Sequence, residues 1–384
     1  MKWRRGFENS HKEAEKMTVA DLVDQRSRSG DSEAGAEAGS EGGVGRLSEI
    51  MTAIDSPTDA RSIRQALDAV VVGQADAKNA ISVLLSAHLS VDDRVGNVGS
   101  PNALLIGPTG VGKTHTVHTA ADFLGLPYVN VDSTALVPSS AQDGMTIEKV
   151  LVELLISAET ILAERNMFAE ISAVELASRG LIFLDEFDKL RVDRESDWNL
   201  RLQRRLLRLM EGSFTAIPEA RGETIDTSKI SFLASGTFEG VRDPIVVSQR
   251  PAHLNSTLRE QEKVVSVDLV NYGFLPELIA RLPVLVAFDS LSSRDLVGVL
   301  DNPRVDPTQL WSSYFRSIGK DLLIETEAKI LIAEQAEKLN MGARGLQQVI
   351  FPMLARLSLD HEDGDQATVI VTRELCKAQL RKGW

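Results

Sequence analysis

Cysteine is nearly absent: Cys376 is the only one in 384 residues. One thiol closes no intrachain disulfide and builds no cysteine-based zinc site, so the composition points to a reducing, cytoplasmic setting. Positive charge is also in deficit. Lys and Arg total 42 against 55 Asp and Glu, and the net charge of -13 argues against broad adhesion to nucleic acid or an anionic membrane. No apolar run approaches a membrane span. The opening MKWRRGF has basic residues with no apolar stretch behind them, so no secretory leader is expected. What remains is ordinary globular composition, 43% apolar and 25% charged, in a chain long enough for two or three domains.

Residues 27–45, SRSGDSEAGAEAGSEGGVG, carry almost no large apolar side chain and cannot offset the entropy of ordering. Residues 1–46 therefore read as a tail and flexible linker, with HKEAEKMTVADLVDQ as a short helix, a docking peptide or plain disordered chain. From residue 47 the character is globular. The runs NALLI, PYVNV, GLIFL and ISFLASG alternate with helix-like segments, the pattern of a buried parallel sheet flanked by helices. After RLPVLVAF the periodicity becomes helical, with one late strand candidate, ATVIVT. The expected organisation is an α/β domain over 47–288 and a smaller, mainly helical domain over 289–384.

The strongest local signal is GPTGVGKT, Gly107 to Thr114, set between an apolar strand and a helix-like segment. Gly107, Gly112, Lys113 and Thr114 fit the spacing G-x-x-x-x-G-K-[ST]. Such a loop wraps phosphate oxygens with backbone N–H groups, the Lys reaches the terminal phosphates and the Thr hydroxyl holds magnesium. Pro108, Thr109, Gly110, Val111 and His115 belong to the same cradle. Downstream, GLIFLDEFDKL ends an apolar strand in Asp185 and Glu186. Two adjacent carboxylates at the edge of a core repel one another unless a cation or a chemical role offsets the cost. Acids often cap a following helix, but that explains one acid and not the pair. In a parallel sheet both motifs open onto one crevice; Asp185 is the candidate metal holder with Thr114, and Glu186 the candidate base for an attacking water.

At these residues the chain resembles AAA+ ATPases, specifically the ClpX and HslU group of protein unfoldases, from about Pro57 to Leu359. The resemblance implies a parallel-sheet αβα domain with a helical lid, ATP and Mg2+ as cofactors, and a ring, most simply a hexamer, with ATP at subunit interfaces. VVVGQADAKNAI is similar to the segment against the adenine, implying Val71 and Val72 as pocket wall. ISFLASGTF places Ser235 where a strand-end polar sensor is expected. YGFLPELIARLPVLV implies that Arg281 reaches the neighbouring subunit's nucleotide, and MGARGLQQVI that Arg344 contacts the phosphates of its own subunit.

The chain also departs from this group. One cysteine cannot form the ClpX zinc domain, and the segment between the two nucleotide motifs is too short for the HslU insertion. The pore-loop region, STALVPSSAQDGMTIEKV, has no aromatic; Gln142, Asp143, Gly144 and Met145 stand there. No Ile/Leu-Gly-Phe tripeptide lies between Phe238 and Asp268, so the ClpP-type peptidase is not an expected partner. The second pore loop is shortened to PEARGETID, DWNLRLQRR replaces a glycine-containing segment, and Pro352 interrupts the last helix. Two expectations follow: an ATP-hydrolysing ring that remodels or unfolds a protein client without that peptidase, or an ATP-dependent scaffold that recruits an effector without threading it. A DNA-directed AAA+ protein fits the acidic balance less well.

Overall fold

The computed structural model describes residues 58–90, 99–137, 145–167, 171–192, 197–217, 223–241, 264–361 and 367–381. The tail, the peptidase-loop region from 242 to 263 and the pore-loop residues Gln142 to Gly144 lie outside them.

Helices α1 (Ala60–Asp68) and α2 (Ala75–Ser90) lead into a five-stranded sheet. Its strands are β1 (Ala103–Ile106), β2 (Tyr128–Asp132), β3 (Leu181–Asp185), β6 (Ser231–Gly236) and β7 (Val284–Ala287), in the order β2-β3-β6-β1-β7 with every pair parallel. Leu, Ile, Phe and Ala fill β1, β3 and β6, almost all buried, because helices cover both faces. Helix α3 (Lys113–Leu124) follows β1; α4 (Ile147–Arg165) and α5 (Ala173–Ala177) separate β2 from β3. Between β3 and β6 come α6 (Asp197–Met210) and an antiparallel hairpin, β4 (Phe214–Ile217) with β5 (Glu223–Asp226). Short helices α7 (Ser266–Tyr272) and α8 (Pro276–Ala280) precede β7.

Past β7 the chain is mostly helical: α9 (Ser293–Asp301), α10 (Gln309–Ser317), α11 (Thr326–Lys338), α12 (Ala343–His361) and α13 (Arg373–Arg381), with β8 (Asp321–Ile324) paired to β9 (Thr368–Val371). This αβα sheet followed by a helical region is the architecture the residue pattern suggests. β4, β5, β7 and β8 are additions to the strands singled out in the sequence. Pro352 does not break α12, which runs through it, although the ring removes the N–H that would have bonded to the carbonyl of Gln348 and crowds that carbonyl.

Register decides which side chains meet at the carboxyl edge. Leu184 pairs with Ala234, so the next residues, Asp185 and Ser235, stand side by side; across β6, Leu105 pairs with Ser235 and Ile106 with Gly236. The turn after β1 and the acidic end of β3 thus flank the end of β6.

Candidate active site

A cavity of about 580 Å³ lies at this edge, roofed by the helical region. Its phosphate-loop wall comprises Thr109 to His115, its acidic wall Asp185, Glu186 and Asp188, and Arg344 enters from α12. Val70, Val71 and Val72, with Leu291, Val299 and Val305, make an apolar end.

Lys113 is buried, and its ammonium donates to the carbonyls of Gly107 and Pro108, both at 2.8 Å. Burial lowers its pKa, against the opposing pull of Asp185 and Asp188; Arg344 pushes it further down. An ammonium has three donors, so one hydrogen is left for a ligand. Gly107 and Pro108 therefore serve as lysine anchors behind the cavity rather than as its lining.

Asp185 is held by three donors. The Thr114 hydroxyl reaches Oδ2 at 3.0 Å, the Ser235 hydroxyl reaches Oδ1 at 2.5 Å, and the Glu186 N–H reaches Oδ1 at 2.9 Å. Ser235 is 0% exposed and does not line the cavity. The polar side chain that faces it from this strand end is Thr237. Glu186 has a positive φ of 52°, a left-handed turn immediately beyond the strand.

The roof meets the phosphate loop backbone to backbone. Ala343 N–H donates to the Gly110 carbonyl at 2.9 Å. A Cβ at Gly110 would stand 2.2 Å from the Met341 carbonyl, and one at Gly342 would stand 2.4 Å from the Gly110 carbonyl, so only glycine permits this approach. It carries Arg344 to the cavity. A second tie is the buried Gln74: its amide donates to the Asp289 carbonyl at 2.7 Å and accepts from the Asp289 N–H at 3.0 Å. Sequence reading missed Gln74, Asp188 and Thr237; the Gln inside an apolar VVVGQ stretch was the one available signal.

Arg281 lies outside the cavity. Its side chain is 48% exposed and 3.6 Å from Glu211. Met145 is fixed at the base of its segment: its N–H donates to the Ala135 carbonyl at 3.2 Å, its carbonyl accepts from Val137 at 2.9 Å, and its side chain packs on the core. Among the described residues no cluster of three or more His, Cys, Asp or Glu is placed to hold a metal. The oxygens of Thr114 and Asp185 nevertheless suit magnesium, which takes few protein ligands and completes its shell with water and phosphate.

A phosphate loop between strand and helix, an acidic tip on a nearby parallel strand and a helical roof carrying an arginine define a nucleotide-hydrolysing P-loop module. The AAA domain (Cdc48 subfamily) family model matches residues 100–285. ClpX, the ATP-dependent Clp protease ATP-binding subunit, of Treponema denticola is 30% identical over 78% of this chain and 75% of its own length. ClpX 3 of Methylococcus capsulatus is 30% identical over 81% and 77%, and ClpX of Porphyromonas gingivalis 28% over 83% and 81%. The chain belongs to the AAA+ ATPases, in the ClpX-like group; it binds and hydrolyses ATP.

Proposed function

We propose that the chain works in a homo-oligomeric ring, most simply a hexamer, and couples Mg2+-dependent ATP hydrolysis to remodelling of a protein client, without the usual peptidase. The observation that carries this reading is the split between arginines: Arg344 lines the cavity while Arg281 stands outside it on an exposed face. A guanidinium that cannot serve its own site is suited to complete a neighbour's, because its charge is permanent and its fork fits phosphate oxygens.

The adenine belongs at the apolar end. There Val72 makes no hydrogen bond through its N–H or carbonyl among the described residues, and this donor and acceptor pair complements the N1 and N6 edge of adenine. The triphosphate runs along the loop to Lys113, with Arg344 above it. Thr114 and Asp185 would hold magnesium, whose chemistry is to neutralise charge on the phosphates. Glu186 takes the proton of the attacking water.

The scaffold reading has one observation in its favour. Met145, the residue of the pore-loop segment best suited to grip an apolar chain, is tied down by Ala135 and Val137. The two readings part in one assay. The wild-type protein with ATP is mixed with a tagged fluorescent substrate, and the Glu186→Gln variant is used to trap complexes. Loss of substrate fluorescence with stimulated hydrolysis supports remodelling. A ring that forms yet leaves the substrate folded and the ATPase rate unchanged sinks remodelling in favour of the scaffold.

A further inference from the structure

Asn102 precedes β1 at the amino end of the sheet and has no part in the reading above. It is 8% exposed, and both ends of its amide are used: Oδ1 accepts from the Phe232 N–H at 2.8 Å, and Nδ2 donates to the Arg281 carbonyl at 3.0 Å. An N–H can meet only the amide oxygen and a carbonyl only the amide nitrogen, so the two partners fix which way the group points. Because β1 lies between β6 and β7, one side chain reaches the chain on both sides. Towards β6 it extends the register in which Ala103 pairs with Leu233; towards β7 it catches the backbone just ahead of Val284, the other partner of Ala103.

The Arg281 end of this contact is stiff. Arg281 closes α8, its N–H donating to the Leu278 carbonyl at 3.1 Å. Leu282, next in the chain, is 0% exposed, and Pro283 holds its own φ and restricts that of Leu282. With the carbonyl held by Asn102 as well, the backbone under Arg281 is fixed and the half-exposed guanidinium is the part left to move. A charge that must meet a phosphate on another subunit gains from such a base, because a misplacement of about 1 Å can lower a rate by about 100-fold. Asn102 itself stands away from its own subunit's cavity, since β1 puts roughly 13 Å between it and the phosphate loop.

We infer that Asn102 is a positioning residue for hydrolysis at the neighbouring subunit, holding the backbone from which Arg281 reaches that subunit's phosphates. The inference rests on the assignment of Arg281 to the neighbour's site. Asn102 touches no nucleotide and transfers no proton. Its loss damages what a subunit lends and spares what the subunit keeps.

Asn102→Asp separates the two ends of the amide. The carboxylate still accepts from the Phe232 N–H but sets an acceptor oxygen against the Arg281 carbonyl, so the tie to β6 survives and the tie to the arginine is lost. The test is steady-state ATPase kinetics at pH 8, nucleotide titrations and mixed rings of the full chain, with co-assembly checked by mass photometry. Asn102→Asp is expected to lose roughly 10-fold to 100-fold in kcat with the nucleotide Kd within about twofold. Mixing it with Glu186→Gln should recover part of the turnover, because those subunits carry an intact Asn102 and Arg281; mixing it with Arg281→Ala should recover none, because neither lends a well-placed arginine. Ser231→Ala removes another buried bond at this edge, to the Pro101 carbonyl at 2.5 Å, and should keep kcat close to wild type. Wild-type kcat in Asn102→Asp overturns the proposal, as does a loss confined to Kd or an equal loss in Ser231→Ala. It also falls if Asn102→Asp rings with Glu186→Gln stay inactive while Arg281→Ala rings with Glu186→Gln recover. Should Asn102→Asp fail to fold, Asn102→Ser, whose hydroxyl is too short to reach both partners, is judged by the same mixtures. No recovery when Arg281→Ala is mixed with Glu186→Gln would instead strike the Arg281 reading itself, and this inference with it.

Discussion

Asp185 illustrates how a single residue's role is set by its neighbours. Thr114 and Ser235 each spend a hydroxyl proton on it from opposite sides. A hydrogen bond to a charged group contributes about 1.5–3 kcal/mol, so Ser235→Ala, which keeps the Cβ in a fully buried site, is expected to lower kcat/KM about 10-fold or more with little loss of nucleotide affinity. Steady-state kinetics beside a binding titration measures that separation. Lys113, Thr114, Asp185 and Glu186 were legible from sequence because their chemistry is local: a glycine loop and an apolar strand that stops in acid. Ser235 was legible as a strand-end hydroxyl, but its direction was not, because the register that sets it beside Asp185 comes from pairing between β3 and β6. Thr237 and Asp188 were hidden for a related reason. Their meeting depends on a left-handed turn at Phe238 and on room left by Gly236, and neither feature has a pattern along the chain.

Strands buried on both faces announce themselves as largely apolar runs, so β1, β3 and β6 could be read directly, and the edge strand β2 shows instead as alternating valines, buried in turn with exposed Asn130 and Asp132. β4, β5 and β8 are short and mix Thr, Glu and Asp with apolar residues, so they carry no such signal. Two elements invite tests. The roof touches the phosphate loop only because Gly110 and Gly342 lack side chains. Gly342→Ala would put a Cβ against the Gly110 carbonyl at a φ of 56°, a strain of order 1–3 kcal/mol. We expect it to withdraw Arg344 and raise the KM for ATP several-fold in the ATPase assay, while Gly319→Ala, at a site with open space around its Cβ, should leave KM unchanged.

Helix α2 carries a buried His88, whose Nε2 meets the Arg179 carbonyl at 2.9 Å while Nδ1 has no hydrogen-bond partner among the described residues. Burial pushes its pKa down to about 4. The unfolded chain takes up the proton first, so this group's stability is complete above pH 6.5, falls as pH drops toward 4 and levels off below; the total is on the order of 3 kcal/mol. Melting curves of wild type and His88→Gln between pH 7 and pH 4.5 should show the difference between the two shrinking as pH falls. A difference constant with pH would contradict it.

At the scale of the whole molecule, the cavity contains a nucleotide loop, an acidic wall and one arginine, Arg344, and a second arginine, Arg281, lies outside it. An arginine supplied by a neighbour contributes roughly 10³-fold or more to phosphoryl transfer, so Arg281→Ala is expected to be nearly inactive in hydrolysis while still binding ATP. Mixing it with inactive Glu186→Gln should restore part of the turnover, since some interfaces then combine an intact Glu186 with an intact Arg281. Co-assembly is checked by mass photometry; mixed rings with no recovered activity would remove Arg281 from the neighbour's site. No helix among the described residues is long and apolar enough to cross a membrane.

The proposition beneath all of this is that ATP is bound between the Lys113 loop and the acidic end of β3. Titration of fluorescent ATP with magnesium into the Glu186→Gln protein, with and without Lys113→Ala, tests it most directly. The account predicts saturable binding that the alanine substitution weakens at least 10-fold, about 1.4 kcal/mol. Equal affinity in the two proteins, both folded, would contradict it.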